Sequence, residues 1–351
     1  MCGSDPEKVK GGIVSVVNSI LGYEDWEEVQ FRYVSTHREG GKVTKTLCFC
    51  LGYLRAAWYL LFGQADLVHL HVSERGSFYR KALILRLAKS RKKPVLLHHH
   101  GADFDLFFEG LSEEKQSYVR KILEMADCNL LLSRGVQDAL LRKAPGAKTE
   151  ILHNAVCVPK ENPYREENDA IVTLGRLGER KGTYDLLKAI RLIDKQLPEQ
   201  IKVYLCGDGE VEEVNRLVKE YGLTERVART GWIAGEDKEK LLGHTLCHVL
   251  PSYREVLPMS ILETMAKGIP NIATRIASVP EVIEPEKNGF LIEPGDVRSL
   301  ADALLRFCGD RELSREMSRH AYEKINAEFS QKVCFARLKK IYRAQLAGQQ
   351  G

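Results

Sequence analysis

The stretch Leu174-Gly-Arg-Leu-Gly-Glu-Arg-Lys-Gly-Thr183 sets two cations, Arg180 and Lys181, directly ahead of a helix expected to begin near Thr183, with Thr183 as its N-cap. Exposed cations at a helix N-terminus oppose the macrodipole, at a cost of about 0.3–1 kcal/mol each. An anion in the turn removes that conflict, because phosphate oxygens take both the cations and the free backbone N–H groups. The apolar run 170–174 reads as a strand that delivers Gly175 and Arg176 to the same turn. The competing reading is a solvated surface turn.

A second constellation follows the apolar run 247–250. Glu255 lies in a loop, and Pro258 stands where a helix should start. That helix, to about residue 267, is apolar almost all round and is therefore expected to be buried. Glu263 falls on the stripe of Met259, Leu262 and Ala266. A buried carboxylate needs donors, which either ligand hydroxyls or a partnering Arg or Lys could supply. His69 with His71 and His98 with His100 share strand faces in the manner of zinc ligands, although no H-E-x-x-H or Cys partner accompanies them. Asp103-Phe-Asp105 is a two-carboxylate pattern, and Gly207-Asp-Gly209 lacks the third glycine of a dinucleotide fingerprint, so it reads as a tight turn.

These residues must be held by alternating short apolar runs and helical segments. Strands are expected at 29–35, 67–72, 95–99, 129–132 and 150–152, and again at 170–174, 202–206, 247–250 and 271–274. Continuous apolar strands between helices mean α/β units with parallel sheets covered on both faces. The polar, proline-bearing segment 159–168 reads as a linker. It divides the chain into an N-terminal domain (1–158) and a C-terminal domain (169–328), with a final helix (329–351) returning to the first domain. Ligands in such sheets sit beyond the carboxyl ends of the strands.

Composition agrees. The 351 residues are 44% apolar and 28% charged, enough for two cores. A net charge of +4 is too balanced for a dedicated nucleic-acid binder. Nine scattered cysteines without C-x-x-C spacing, and no apolar leader, suggest a reducing cytoplasm. The apolar stretch 47–62 is too short to span a bilayer and is expected to be a buried helix.

Gly-Arg-Leu-x-x-Arg-Lys-Gly, followed some seventy residues later by Glu-x7-Glu, resembles the retaining glycosyltransferases of family four, which have the GT-B fold: two Rossmann-like domains facing a central cleft. Gly11-Gly12, His100-Gly101-Ala-Asp103 and Gly268-Ile-Pro270 extend the likeness. The resemblance implies a nucleotide-sugar donor, a glycan or lipid-linked acceptor, and neither metal nor cofactor. Arg176 and Lys181 would neutralise the diphosphate, and Glu255 would hold donor-sugar hydroxyls. Gly175 and the backbone at Val256, Leu257 and Pro258 would meet sugar and phosphate, and Glu263 the ribose. Gly11 and Gly12 would let a helix N-terminus approach the phosphates, and His100 would line the sugar. Val256 stands where the family often has Gly, and Asn154-Ala-Val-Cys157 replaces its Asn-Gly-Val-Asp. The family's buried first strand has no counterpart in the pattern of residues 1–10, so the N-terminal sheet is expected to lack its central strand: either the chain begins downstream of the natural start, or another element fills the slot.

The first 165 residues carry 24 basic and 19 acidic residues, the remainder 28 and 29. The excess includes Arg75, Arg80, Lys81 and Arg86, in a run from 75 to 93 without an acid. These are read as an acceptor-side or membrane-facing surface for transient contact with anionic lipid on the inner membrane face. The expected activity is sugar transfer in surface or exopolysaccharide synthesis. The alternatives are a nucleotide-sugar-binding subunit without turnover and, remotely, a zinc hydrolase.

Overall fold

The computed structural model describes residues 1–9, 11–63 and 65–348. The chain forms two units. One contains Met1–Ala155 together with the last helix, Gln331–Ala347, and the other Val156–Ser330.

In the first unit six strands, β1 (Cys2–Ser4), β2 (Val34–His37), β3 (Val68–Val72), β4 (Val95–His99), β5 (Cys128–Leu131) and β6 (Thr149–Ile151), form a parallel sheet in the order β2-β1-β3-β4-β5-β6. The first strand, which the residue pattern did not show, is therefore present. Cys2 lies opposite both Val34 and Leu70. Three residues with one buried thiol leave no alternation to read. What fixes the strand is its neighbours: Thr36 Oγ1 donates to the Gly3 carbonyl at 2.9 Å and the Tyr33 hydroxyl to that of Ser4 at 2.5 Å. Strand β2 is also shorter and later than expected, because residues 29–33 lie outside the ladder. The core gathers Leu70, Ile84, Leu97, Val119 and Leu123, all fully buried, each stabilising by roughly 1.5–3 kcal/mol.

Helix Lys42–Leu61 corrects another expectation. Gly52, Ala56 and Leu60 face inward, and a Cβ on Gly52 would sit 2.4 Å from the Ser35 carbonyl oxygen, so this glycine allows the helix to press on β2. Its opposite face is exposed rather than buried. The helix carries apolar side chains on both its inner and its outer face, but only the inner face meets a sheet.

The second unit has strands β7 (Ala170–Leu174), β8 (Lys202–Cys206), β9 (Val227–Gly231), β10 (Thr245–Leu250), β11 (Asn271–Thr274) and β12 (Gly289–Ile292), parallel throughout, in the order β12-β11-β10-β7-β8-β9. The chain winds outward from β7 to β9, then returns to the other side of β7 with β10. That reversal is a topological switch point, where open α/β sheets bind ligands. The two edge strands, β9 and β12, escaped the pattern: β9 is a half-exposed Val-Ala-Arg-Thr-Gly and β12 opens on glycine.

The segment read as a linker packs onto this unit instead. The Tyr164 hydroxyl donates to the Leu246 carbonyl at 3.1 Å, Asn168 Nδ2 to that of Thr245 at 2.8 Å, and Asn162 Nδ2 to Ser318 Oγ at 3.0 Å. Tyr164, Asn168 and Asn162 tie the segment to β10 and to helix Arg311–Glu328 while its charged residues stay exposed, a use that composition does not distinguish from solvation.

Candidate functional site

Strands β7 and β10 lie side by side, and their carboxyl ends carry the two constellations read from the sequence. After β7 the chain turns through Gly175 (φ 144°), forms a single 3-10 turn at Glu179–Lys181, and enters helix Thr183–Ile193 through Gly182 (φ 67°). Gly182, not Thr183, is the N-cap, and the Thr183 hydroxyl accepts the Gly178 N–H at 2.9 Å. A Cβ on Gly182 would stand 2.0 Å from the Pro251 carbonyl oxygen, so only glycine lets this turn meet the loop after β10.

That loop is tied down residue by residue. The Tyr253 N–H donates to the Arg180 carbonyl at 2.9 Å and its hydroxyl to Asp185 Oδ2 at 2.7 Å, while Arg180 donates to the Arg254 carbonyl at 3.1 Å. Arg180 thus gives one guanidinium N–H to the loop and is otherwise exposed. The Lys181 ammonium donates to Glu255 Oε1, with only 15% and 10% of the two side chains exposed. The Lys181 amine lies over Gly175: a Cβ there would be 3.7 Å from Nζ.

Arg176 is exposed and has no hydrogen bond or ion pair with a described residue. Its stem packs on the next turn, where Gly207 and Gly209 nest against residues 175–177. A Cβ on Gly207 would be 1.7 Å from the Gly175 carbonyl oxygen, and the Leu177 N–H donates to the Asp208 carbonyl at 2.6 Å. The Gly-Asp-Gly turn therefore shapes the Arg176 loop by close backbone approach.

Val256, Leu257 and Pro258 lead into the short helix Met259–Met265, with Pro258 as N-cap and the Val256 carbonyl accepting the Ser278 N–H at 3.2 Å. Glu263 is not a buried carboxylate. It is partly exposed and pairs at 2.6 Å with Lys238, from helix Gly235–Leu242, so the partnering-cation alternative holds. Lys238 carried no sequence signal, since only the tertiary fold brings it to the site. Two further polar groups were also missed. Ser252 Oγ is buried without a partner among the described residues. His248, inside β10, accepts the Leu174 N–H at 3.3 Å and pairs with Asn271 at 2.5 Å. Burial pulls its pKa down to about 4, so the ring is a neutral strut.

The remaining predicted residues lie in the first unit. Gly11 (φ 123°) is the N-cap of helix Gly12–Leu21, with open space at its Cβ position; conformation, not room, calls for glycine there. His100 extends β4, its N–H donating to the Val72 carbonyl at 2.9 Å, and Nε2 pairs with His71 Nδ1 at 2.9 Å. His69 Nε2 meets His98 Nδ1 at 3.2 Å, and His69 Nδ1 meets the Tyr342 hydroxyl at 2.6 Å. One nitrogen from each of His69, His71 and His98 lies within 4.8 Å of the others, an arrangement that could hold an ion. His69 stacks on His71 at 4.6 Å, His98 is tilted by 32° and 35° to these two rings, and His71 Nε2 and His98 Nε2 are buried without a partner among the described residues. Burial depresses the pKa of all four, His100 to about 3. Asp105 is taken up by Lys143 at 2.8 Å.

Of the four cations assigned to an outer face, Arg75 and Arg86 are exposed and Arg80 is half-buried, with its Nε unpartnered among the described residues. Lys81 does not belong with them. It is 2% exposed and donates to Thr36 Oγ1 at 2.6 Å, on the sheet side of helix Gly76–Ser90. Its long stem let it sit at a core position that the charge count assigned to the surface.

Residues 158–324 match the family model described as glycosyl transferases group 1. An uncharacterized 41.2 kDa protein in the cps region of Klebsiella pneumoniae is 23% identical over 91% of this chain and 94% of its own length. The amylovoran biosynthesis glycosyltransferase AmsK of Erwinia amylovora is 26% identical over 79% of this chain and 70% of its own. N-acetyl-alpha-D-glucosaminyl L-malate synthase of Bacillus anthracis is 29% identical over 52% of this chain, which spans about half (47%) of that relative. Among solved structures, Anabaena HepE in complex with UDP superposes with a TM-score of 0.75 at 18% identity, covering 98% of each chain. The likeness shows the fold, GT-B.

Proposed function

We propose that this chain, a group 1 glycosyltransferase with the GT-B fold, moves a sugar from a nucleotide-sugar donor to a glycan or lipid-linked acceptor, with retention of anomeric configuration and without a metal. The observation that carries the reading is the placement of Arg176, Lys181 and Glu255 around the β7/β10 switch point. A leaving nucleoside diphosphate needs its developing charge met by fixed donors, and such preorganised stabilisation is the largest electrostatic contribution available to a transferase of this kind. Arg176, exposed beside a turn fixed by backbone contacts, and Lys181, held by Glu255, supply two cations. Glu255 keeps a second oxygen for donor-sugar hydroxyls, which accounts for a carboxylate beside a phosphate site. Gly175 and the backbone of Val256 to Pro258 surround them; Glu263, with Lys238, stands one helix turn further on for the ribose. Gly11, Gly12 and His100, all in the first unit, keep the role that the family resemblance implies for them.

The relatives named for amylovoran synthesis and the cps region support a place in surface or exopolysaccharide synthesis. A binding subunit without turnover is the reading that an absent first strand would favour. Strand β1 removes that ground. The test is single-turnover transfer, or slow donor hydrolysis, with UDP- and GDP-sugars. Product of inverted configuration, or no turnover with any donor that binds, refutes the proposal.

A further inference from the structure

We propose that the outward face of helix Lys42–Leu61 is a docking surface for an anionic lipid bilayer. This inference stands apart from the transfer chemistry, since none of its residues belongs to the donor site.

The exposed side chains recur at helical spacing: Val43, Leu47, Leu51, Leu54, Trp58 and Leu61, continued by Phe62 just past the helix end. Exposure is 78% at Val43, 63% at Leu51 and 56% at Trp58. At a rise of 1.5 Å per residue the stripe runs roughly 28 Å. Scattered surface leucines need no explanation, but a continuous apolar stripe of this length marks an interaction site. The inner face is already used on β2 by Gly52, Ala56 and Leu60, so the outward face is not waiting for a core.

Charge selects the occupant. From Lys42 to Phe62 the chain carries Lys42, Lys45 and Arg55 and no acid. Beside the stripe lies a cavity of about 440 Å³ lined by Val43, Leu47, Leu51, Arg38, Arg55 and Asp5, whose carboxylate already accepts the N–H groups of Glu7 and Lys8. The neighbouring helix Gly76–Ser90 adds exposed Leu83 and Arg86. Leucines, Trp and Phe facing outward, with cations along the flank and in the first turn, are the composition of a helix lying in the lipid interface, its apolar face sunk about 5–10 Å. Two copies joined stripe to stripe would instead bring two cationic rims together, with no acid in either helix to offset them.

The test uses the full chain and vesicles of 30% phosphatidylglycerol in phosphatidylcholine, against phosphatidylcholine alone, read by flotation. Partitioning should favour the anionic vesicles at least ~10-fold, with a blue shift of Trp emission that Trp58→Phe abolishes. Leu51→Glu should lower partitioning at least ~10-fold, and Arg38→Ala with Arg55→Ala about 30-fold, the equivalent of about 1 kcal/mol per cation near the surface. Leu54→Gln provides a second stripe variant should Leu51→Glu melt early. Equal partitioning into both vesicles, or partitioning that neither stripe variant changes, overturns the proposal. So does a dimer by sedimentation that the stripe variants dissolve, which would assign the face to a second copy. Donor hydrolysis without vesicles is expected to be unchanged in these variants, so failure here and failure of the transferase reading are separable.

Discussion

Lys181 and Glu255, 74 residues apart, form an ion pair that joins the loops following two adjacent parallel strands, at the point where the second sheet reverses its winding. Neither residue is positioned by its own element alone. Lys181 depends on Gly182 for the turn that brings it back over Gly175, and Glu255 on Tyr253 for the bond that pins its loop to the Arg180 carbonyl.

Arg176→Ala and Lys181→Ala are each expected to lose at least ~10²-fold in turnover, the scale for removing one fixed electrostatic donor. Circular dichroism should remain native in both. Unchanged turnover in either removes its diphosphate assignment.

Glu255→Gln separates sugar from nucleotide. If Glu255 holds donor-sugar hydroxyls, the variant keeps its affinity for free UDP or GDP within about threefold while transfer falls at least ~10-fold, about 1.4 kcal/mol. Calorimetry with the nucleotide alone decides this: a parallel collapse of nucleotide affinity would mean that Glu255 serves only to hold Lys181.

The inner strands of the two sheets were legible because a strand covered on both faces is largely apolar; β4, β7, β8 and β11 fall where that pattern puts them, whereas the edge strands β9 and β12 do not show it. Strand β1 was not, since three residues held by Tyr33 and Thr36 from a neighbouring segment carry no periodicity of their own. Arg176, Lys181 and Glu255 were legible as charges interrupting strand-end turns. The Glu263–Lys238 pair and the burial of Lys81 depend on tertiary distances that no local window contains. Helix Lys42–Leu61 reversed its expected environment for the same reason: apolar content tells how much surface a helix can bury, and not whether a partner covers it.

Lys81 carries a pH signature. Its ammonium is buried beside a hydroxyl, and burial pulls its pKa down to about 8 from an ordinary 10.5. Below about pH 8 folded and unfolded states are both protonated and the full cost is present. Between about 8 and 10.5 the unfolded chain binds the extra proton, so this site's contribution to stability rises with pH, by up to about 3 kcal/mol. Denaturant midpoints of the wild type should therefore rise across that window relative to Lys81→Met, which should be at least as stable at pH 7. Parallel profiles for the two proteins would contradict the assignment.

Gly182→Ala should be among the most damaging small substitutions, combining a left-handed φ of 67° with a Cβ placed 2.0 Å from a backbone oxygen. We expect a loss of about 2–4 kcal/mol in urea unfolding. Gly11→Ala, strained in φ but meeting nothing within 4 Å, should cost only about 1–2 kcal/mol. Equal costs at the two positions would argue against the close approach of the 182 and 251 backbones.

Transfer is expected to persist undiminished in excess chelator, and elemental analysis of purified protein is expected to find no stoichiometric zinc at the stacked histidines. Zinc at one equivalent per chain would instead assign His69, His71 and His98 a metal.

The most direct measurement is nucleoside diphosphate release from UDP- and GDP-sugars in the presence of EDTA, with calorimetric binding of the same nucleotides. The account predicts that at least one donor binds and turns over without metal, and that Arg176→Ala and Lys181→Ala each reduce turnover at least ~10²-fold. Nucleotide binding without turnover of any donor, or activity abolished by EDTA and restored by Mn²⁺ or Zn²⁺, would contradict it.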